Sequence, residues 1–125
     1  MKWIFENDRP IYIQVVEQIK MFIISGRYKP GEKLPSVREL AAEAKINPNT
    51  MQKAMAELET AELVFSNRTN GRYITNDEDL IKNIKDEYAL EIISEMCAKL
   101  ITVGYSKIEI IRMINEYEDG GSYNE

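Results

Sequence analysis

Between Asn47 and Lys53 the chain places Asn47, Asn49, Thr50, Gln52 and Lys53 in close succession. None of them is a nucleophile with a base beside it. Amides, a hydroxyl and an ammonium are instead the groups that read planar donor and acceptor edges. Asparagine and glutamine pair bidentately with adenine, lysine reaches guanine or a phosphate, and threonine meets either a base edge or a phosphate. Pro48 stands among them, at a position suited to a first helical turn. Upstream, Ser36 is followed three residues later by Glu39. That spacing caps a helix start, whose unpaired backbone N–H groups suit a phosphate. Arg38 lies in the same first turn, and downstream Arg68, Thr69 and Arg72 surround an Asn70-Gly71 pair. The chemistry implied is recognition of a charged polymer with readable edges, not bond making.

What the chain lacks points the same way. It has no histidine, and Cys97 is its only cysteine. A zinc site, a His-based triad and an intrachain disulfide therefore have nothing to be built from. With no phosphate-cradling glycine loop either, no cofactor, metal or enzymatic activity is expected. Cys97 reads as a small apolar residue on a helix. Asp86, Glu87, Glu91 and Glu95 read as a solvated face and not as a metal site, and Tyr12, Tyr28, Tyr73, Tyr88 and Tyr105 as packing. No stretch reaches the roughly 18 apolar residues of a membrane span, and the start lacks the basic-then-apolar pattern of a secretory signal. The expectation is a cytoplasmic protein with no membrane partner.

A net charge of −5 is unusual for a chain that meets phosphates. The total hides an asymmetry. Residues 1–76 carry 11 Lys and Arg against 9 Asp and Glu, a balance of +2, while residues 77–125 carry 5 against 12, a balance of −7. The first part can meet DNA if its cations cluster, and the acidic second part is kept away from the duplex.

These residues need elements to position them. Pro10 opens a helix whose Ile11, Val15, Ile19, Phe22 and Ile23 form one buried stripe, ended by Gly26. Pro30-Gly31 marks a turn within Tyr28 to Leu34. The Ser36 capping box starts a short second helix with Val37, Leu40, Ala41 and Ala44 inward. After Lys45 and Ile46, Asn47 caps a third helix that buries Met51, Ala54, Met55 and Leu58. Two short helices joined so tightly must cross steeply, the helix-turn-helix arrangement. Leu63-Val64-Phe65 and Tyr73-Ile74 form a hairpin, or wing, joined by a turn over Asn67 to Gly71 that carries the Asn70-Gly71 signal. Asp77, Glu78 and Asp79 open a long fourth helix of about 25 residues, roughly 37 Å at 1.5 Å per residue. Gly104 ends it, and Ser106 with Glu109 caps a fifth. The organisation expected is a DNA-binding domain over 1–76, a helical dimerisation segment over 77–118 and a flexible tail over 119–125.

The run from Pro10 to Ile74, with PIYIQVVEQI, GRYKPGEKLPSVRELA, INPNTMQKAMAELE and a closing GRYI, resembles the GntR family of bacterial transcriptional regulators. The two helices after the wing resemble the short-tailed YtrA-like subfamily. The resemblance implies a winged helix-turn-helix followed by a two-helix dimerisation segment, and a repressor that binds a palindromic operator in double-stranded DNA as a homodimer. Arg38 resembles the family's groove-reaching arginine, and Arg68 matches a wing position expected to contact DNA. The chain departs from the family at Glu62 and Thr69, where glycines are usual, and at Pro48 and Gln52, where some relatives have arginine. A different operator sequence is therefore expected.

Independently of that resemblance, the fourth helix is apolar on two sides and one small domain cannot bury both. Tyr88, Ile92, Ile93, Met96 and Leu100, with Ile111 and Ile114 of the fifth helix, are the expected dimer contacts. The residues specify no small-molecule effector. The competing reading is a winged-helix adaptor that binds a protein without specific DNA binding, since fold alone does not decide function.

Overall fold

The computed structural model describes residues 2–67 and 70–118; the expected DNA contacts Arg68 and Thr69, and the expected tail at 119–125, lie outside the described residues. Contacts group the chain into two compact units, Met1–Lys85 and Asp86–Glu125. The elements are α1 (Ile11–Ile24), α2 (Val37–Ala44), α3 (Pro48–Thr60), β1 (Val64–Asn67), β2 (Gly71–Ile74), α4 (Glu78–Thr102) and α5 (Lys107–Glu116). The fold is mainly helical with a small antiparallel hairpin, as the patterning predicts.

In α1, Val15, Ile19, Phe22 and Ile23 are buried at the helical spacing expected of one stripe. The helix stops where Gly26 takes φ +85°, a left-handed conformation open to glycine without steric cost. One buried residue of α1 is polar. Gln14 accepts a hydrogen bond from the Glu6 N–H at 2.7 Å and donates to the Glu6 and Arg9 carbonyls at 2.9 Å. One turn on, Gln18 accepts from the Ile4 N–H and donates to the Ile4 carbonyl. Together the two glutamines satisfy backbone groups of the preceding segment as a neighbouring strand would, so that segment lies along α1. Trp3 thereby reaches the core, its ring edge-to-face with Phe22 at 5.4 Å and its indole N–H donating to Glu43 at 2.9 Å. Tyr28 extends the aromatic row against Phe22 at 5.9 Å.

Helix α2 starts at Ser36 with both halves of the capping box formed. It ends at Lys45, whose φ of +60° is left-handed, and Ile46 N–H returns to the Ala41 carbonyl at 3.0 Å. That closure turns the chain within three residues onto α3, which starts with Asn47 as cap and Pro48 in its first turn. Met51, Ala54, Met55 and Leu58 are fully buried and pack in one core with Val15, Ile19, Leu40 and Ala41.

The wing pairs Val64 with Ile74, Phe65 with Tyr73, Ser66 with Arg72 and Asn67 with Gly71. The strands run further than expected, because Asn67 and Gly71, the ends of the stretch read as the turn, already pair with each other. The segment before α2 also differs from the turn expected there. Lys29 to Glu32 does close a turn around Pro30-Gly31, but Lys33 then bridges Tyr73, with Leu34 N–H donating to Arg72 at 2.9 Å and Ile74 N–H donating to Glu32 at 2.8 Å. A third strand-like segment, too short to show in local patterning, thus lines β2 and holds the α2 start beside the wing. Between α3 and β1, Glu62 takes φ +63°, at the position where the family usually has glycine, and Leu63 N–H returns to the Leu58 carbonyl at 3.1 Å.

Asp77 accepts a hydrogen bond from Leu80 N–H at 3.0 Å at the start of α4, and Leu80, Ile81 and Ile84 pack against the core of the first unit. In the second unit the Ser106–Glu109 capping box forms as expected, after Gly104 at φ +106°. Among the described residues of that unit Ile110 is the buried hydrophobic side chain.

Two outcomes test this account. Glu62→Gly removes a left-handed β-carbon at the cost of a more flexible unfolded chain, and is expected to raise stability by about 0.5–1 kcal/mol in denaturant unfolding. Burial pushes the Tyr28 phenol up to about 12, with Glu43 and Glu32 adding to the shift. Tyrosine absorbance should therefore show one of the seven tyrosines ionising near pH 12, after a free phenol at about 10. Folding favours the neutral Tyr28, so its contribution is complete below pH 10 and is lost as pH rises through 12.

Candidate nucleic-acid interface

Helix α3 is two-faced. The burial of Met51, Ala54, Met55 and Leu58 leaves Asn47, Pro48, Asn49, Gln52 and Lys53 exposed and Thr50 half-buried. Within that set the roles divide. The Asn47 Oδ1 accepts from the Asn49 N–H at 2.7 Å, so Asn47 works first as the helix cap, with Pro48 fixing the backbone beside it. Asn49, Thr50, Gln52 and Lys53 project from the first turns that follow.

Two open grooves flank α3. The first is lined by Lys33, Ser36, Arg38, Gln52 and Arg72, among others, so it brings together the α2 start, α3 and the foot of the wing. Ser36 Oγ accepts from Glu39 N–H at 3.1 Å, and Glu39 accepts from Ser36 N–H at 2.9 Å. These bonds, the backbone one foremost, hold the Glu39 carboxyl below the usual carboxylate range. Ser36 therefore acts as a cap, and Glu39 stays ionised beside Arg38. Arg38 itself is exposed. The second groove is lined by Ile11, Tyr12, Asn49, Thr50 and Lys53, between the first turns of α1 and α3.

Arg72 is drawn partly inward. Its Nε is buried and lies 3.6 Å from a Glu59 carboxylate oxygen, and the same carboxylate accepts from the Ser66 hydroxyl. Glu59 thus ties both wing strands to α3. Sequence patterning singled out neither Glu59 nor Lys33. Glu59 carries no local mark beyond an ordinary surface carboxylate, and Lys33 enters the groove only through the third strand. Tyr12 read as a packing residue, and its neighbour across the groove is visible only in the fold.

Of the residues expected to dimerise, Tyr88, Ile92, Ile93, Ile111 and Ile114 are between 44% and 53% exposed, while Met96 and Leu100 are half-buried. Leu90, Ile101 and Ile108 add to the exposed apolar surface of this unit. Among the described residues there is no group of carboxylates, cysteine and histidine able to hold a metal, and no helix long and apolar enough to cross a membrane.

Three helices with the second and third crossing through a tight turn, followed by a hairpin, define a winged helix-turn-helix. Residues 11–74 match the family described as bacterial regulatory proteins, gntR family, and the chain belongs to it. It is 37% identical over 126 residues to the HTH-type transcriptional repressor YtrA of Bacillus subtilis, with 95% of each chain covered. A solved GntR family transcriptional regulator from Listeria monocytogenes is similar at TM-score 0.83 and 36% identity, covering 91% of this chain and 100% of that one. The DNA-binding domain of AraR, solved in complex with operator ORX1, is similar at TM-score 0.55 and 26% identity, covering 60% of this chain and 96% of that one. The family is one of regulators, and this chain is a winged-helix, DNA-binding transcription regulator.

Proposed function

We propose that this chain is a homodimeric repressor that binds a palindromic operator. The observation that carries the reading is the division of α3. Four fully buried side chains anchor one face, and amides, a hydroxyl and a lysine occupy the other. Arg38 and Ser36 stand beside that face on the N-terminal end of α2, and the wing stands beside it on the other flank of the groove. A helix held this way presents its N-terminal side chains to base edges in the major groove, while flanking cations meet phosphates. Asn49 and Gln52 suit adenine edges and Arg38 suits guanine or phosphate, and Arg68 and Thr69 are further expected contacts. The relative YtrA is named a repressor, and the AraR domain was solved on operator DNA, which supports the same reading here.

The second unit supports the homodimer. Its exposed apolar side chains exceed what a solvated helix pair carries, and a two-fold partner would cover them with the same surface of a second copy. Two copies present two reading helices, which suit half-sites about 34 Å apart, one turn of DNA. The balance of −7 over residues 77–125 repels phosphates from this part of the dimer.

Binding of the purified protein to duplex from its own promoter region, measured at several salt concentrations beside Arg38→Ala, tests the reading. Salt-sensitive, sequence-preferring binding is expected, with Arg38→Ala weakening it by about 1–3 kcal/mol. Equal affinity for operator and scrambled duplex in the wild type would refute it. In sedimentation at micromolar concentration, the wild type is expected at twice the mass of its chain, and Ile92→Glu with Ile111→Glu at the mass of one chain. A wild type that sediments as a single chain would remove the dimer, and with it the palindrome.

A further inference from the structure

The two grooves flanking α3 are unequally supplied with charge. On the α2 and wing side, three cations, Lys33, Arg38 and Arg72, line the groove with one anion, Glu39. On the α1 side, Lys53 is the charged residue among the five that line it. A helix about 10–12 Å across that lies in a major groove about 12 Å wide has a phosphate strand along each flank. On the α1 side, Lys53 is the cation that lines the groove facing such a strand. A lysine reaching for a base edge would extend outward from α3. Here the Lys53 ammonium is turned to the side, 3.9 Å above the centroid of the Tyr12 ring. Tyr12 lies in the first turn of α1, half-buried and braced by a helix whose Val15 and Ile19 are fully buried.

We propose that Tyr12 is a positioning residue for DNA binding, whose ring holds the Lys53 ammonium at the α1 flank of the reading helix, where it meets a backbone phosphate in place of a base edge. The proposal rests on the DNA-reading function above. A free lysine must give up rotamer freedom when it binds a phosphate. A ring that already favours one placement of the ammonium lowers that cost, and the face of an aromatic ring attracts a cation without neutralising it. Lys53 then contributes to affinity and salt dependence on any sequence, while Asn49, Thr50 and Gln52 carry the reading of bases.

The test is equilibrium binding of the full chain to its promoter duplex and to a scrambled duplex of equal length, across a salt series. Wild type, Tyr12→Phe, Tyr12→Leu, Lys53→Met and the double variant Tyr12→Leu with Lys53→Met are compared. Lys53→Met is expected to weaken both duplexes by the same factor and to reduce the slope of log affinity against log salt by about 0.9, the loss of one phosphate contact. Tyr12→Leu is expected to weaken binding about two- to fivefold in the wild-type background and not at all in the Lys53→Met background. Tyr12→Phe, which keeps the ring, is expected to bind as wild type. In the free protein the ring is expected to shift the Lys53 ε-methylene proton resonances upfield, in wild type and Tyr12→Phe alike. That shift, with the Lys53→Met slope, carries the test if Tyr12→Leu fails to melt cooperatively. Equal losses from Tyr12→Leu in both backgrounds, a Tyr12→Phe as weak as Tyr12→Leu, or a Lys53→Met loss confined to the promoter duplex would each overturn the proposal. If the wild type does not prefer its promoter duplex, the DNA-reading function falls and takes this assignment with it; if it does and the cycle is additive, this assignment alone falls.

Discussion

The burial of one face of α3 is the constraint on which the rest of the first unit depends. Met51, Ala54, Met55 and Leu58 are fully enclosed with Val15 and Ile19 of α1 and Leu40 of α2. Interiors pack too densely to let such a helix rotate, so its outward residues are held at fixed angles. Two small residues in the contact, Ala41 and Ala54, leave room for the helices to approach closely. The outward face of α3, proposed to read DNA, is a consequence of that orientation. Asn49, Thr50, Gln52 and Lys53 are outside because four apolar neighbours are inside.

Around this anchor, backbone pairing and one carboxylate assemble the flanks. The strand-like segment at Glu32 to Leu34 pairs with β2, which brings the α2 start and the foot of the wing to one groove. Glu59 accepts from Ser66 and faces Arg72, so α3 and both strands of the wing share a charged contact. The left-handed Glu62 sits at the junction and accepts conformational strain in order to turn the chain from α3 into β1.

The second unit follows a different logic. Its helical boundaries are set by local signals: Gly104 ends α4, and the Ser106–Glu109 box opens α5. Burial does not organise them to the same degree. Ile110 is enclosed, while Leu90, Ile92, Ile93, Ile101, Ile108, Ile111 and Ile114 are exposed. The contrast is with the first unit, where the large apolar residues of α3 are all covered.

What the sequence by itself determined is local and periodic. Helical spacing of apolar residues, the Ser36 and Ser106 capping boxes, Asn47-Pro48 and the glycines at 26 and 104 are short-range signals, and α2, α3 and α5 begin where the caps place them while α1 and α4 end at the glycines. The exposed face of α3 was legible for the same reason, since a buried stripe implies its opposite. Only the tertiary structure decided which residues meet across long separations in the chain. Patterning cannot show that Lys33 pairs beside Tyr73, that Gln14 and Gln18 hold the backbone before α1, that Asn67 pairs with Gly71, that Glu59 faces Arg72, or that Tyr12 lies under Lys53. It also could not divide α4, whose Leu80, Ile81 and Ile84 belong to the first unit's core although they read like the apolar residues that follow. Caps and stripes act within a few residues along the chain, whereas these contacts are selected by the packing of distant elements, which exists only once the core has closed.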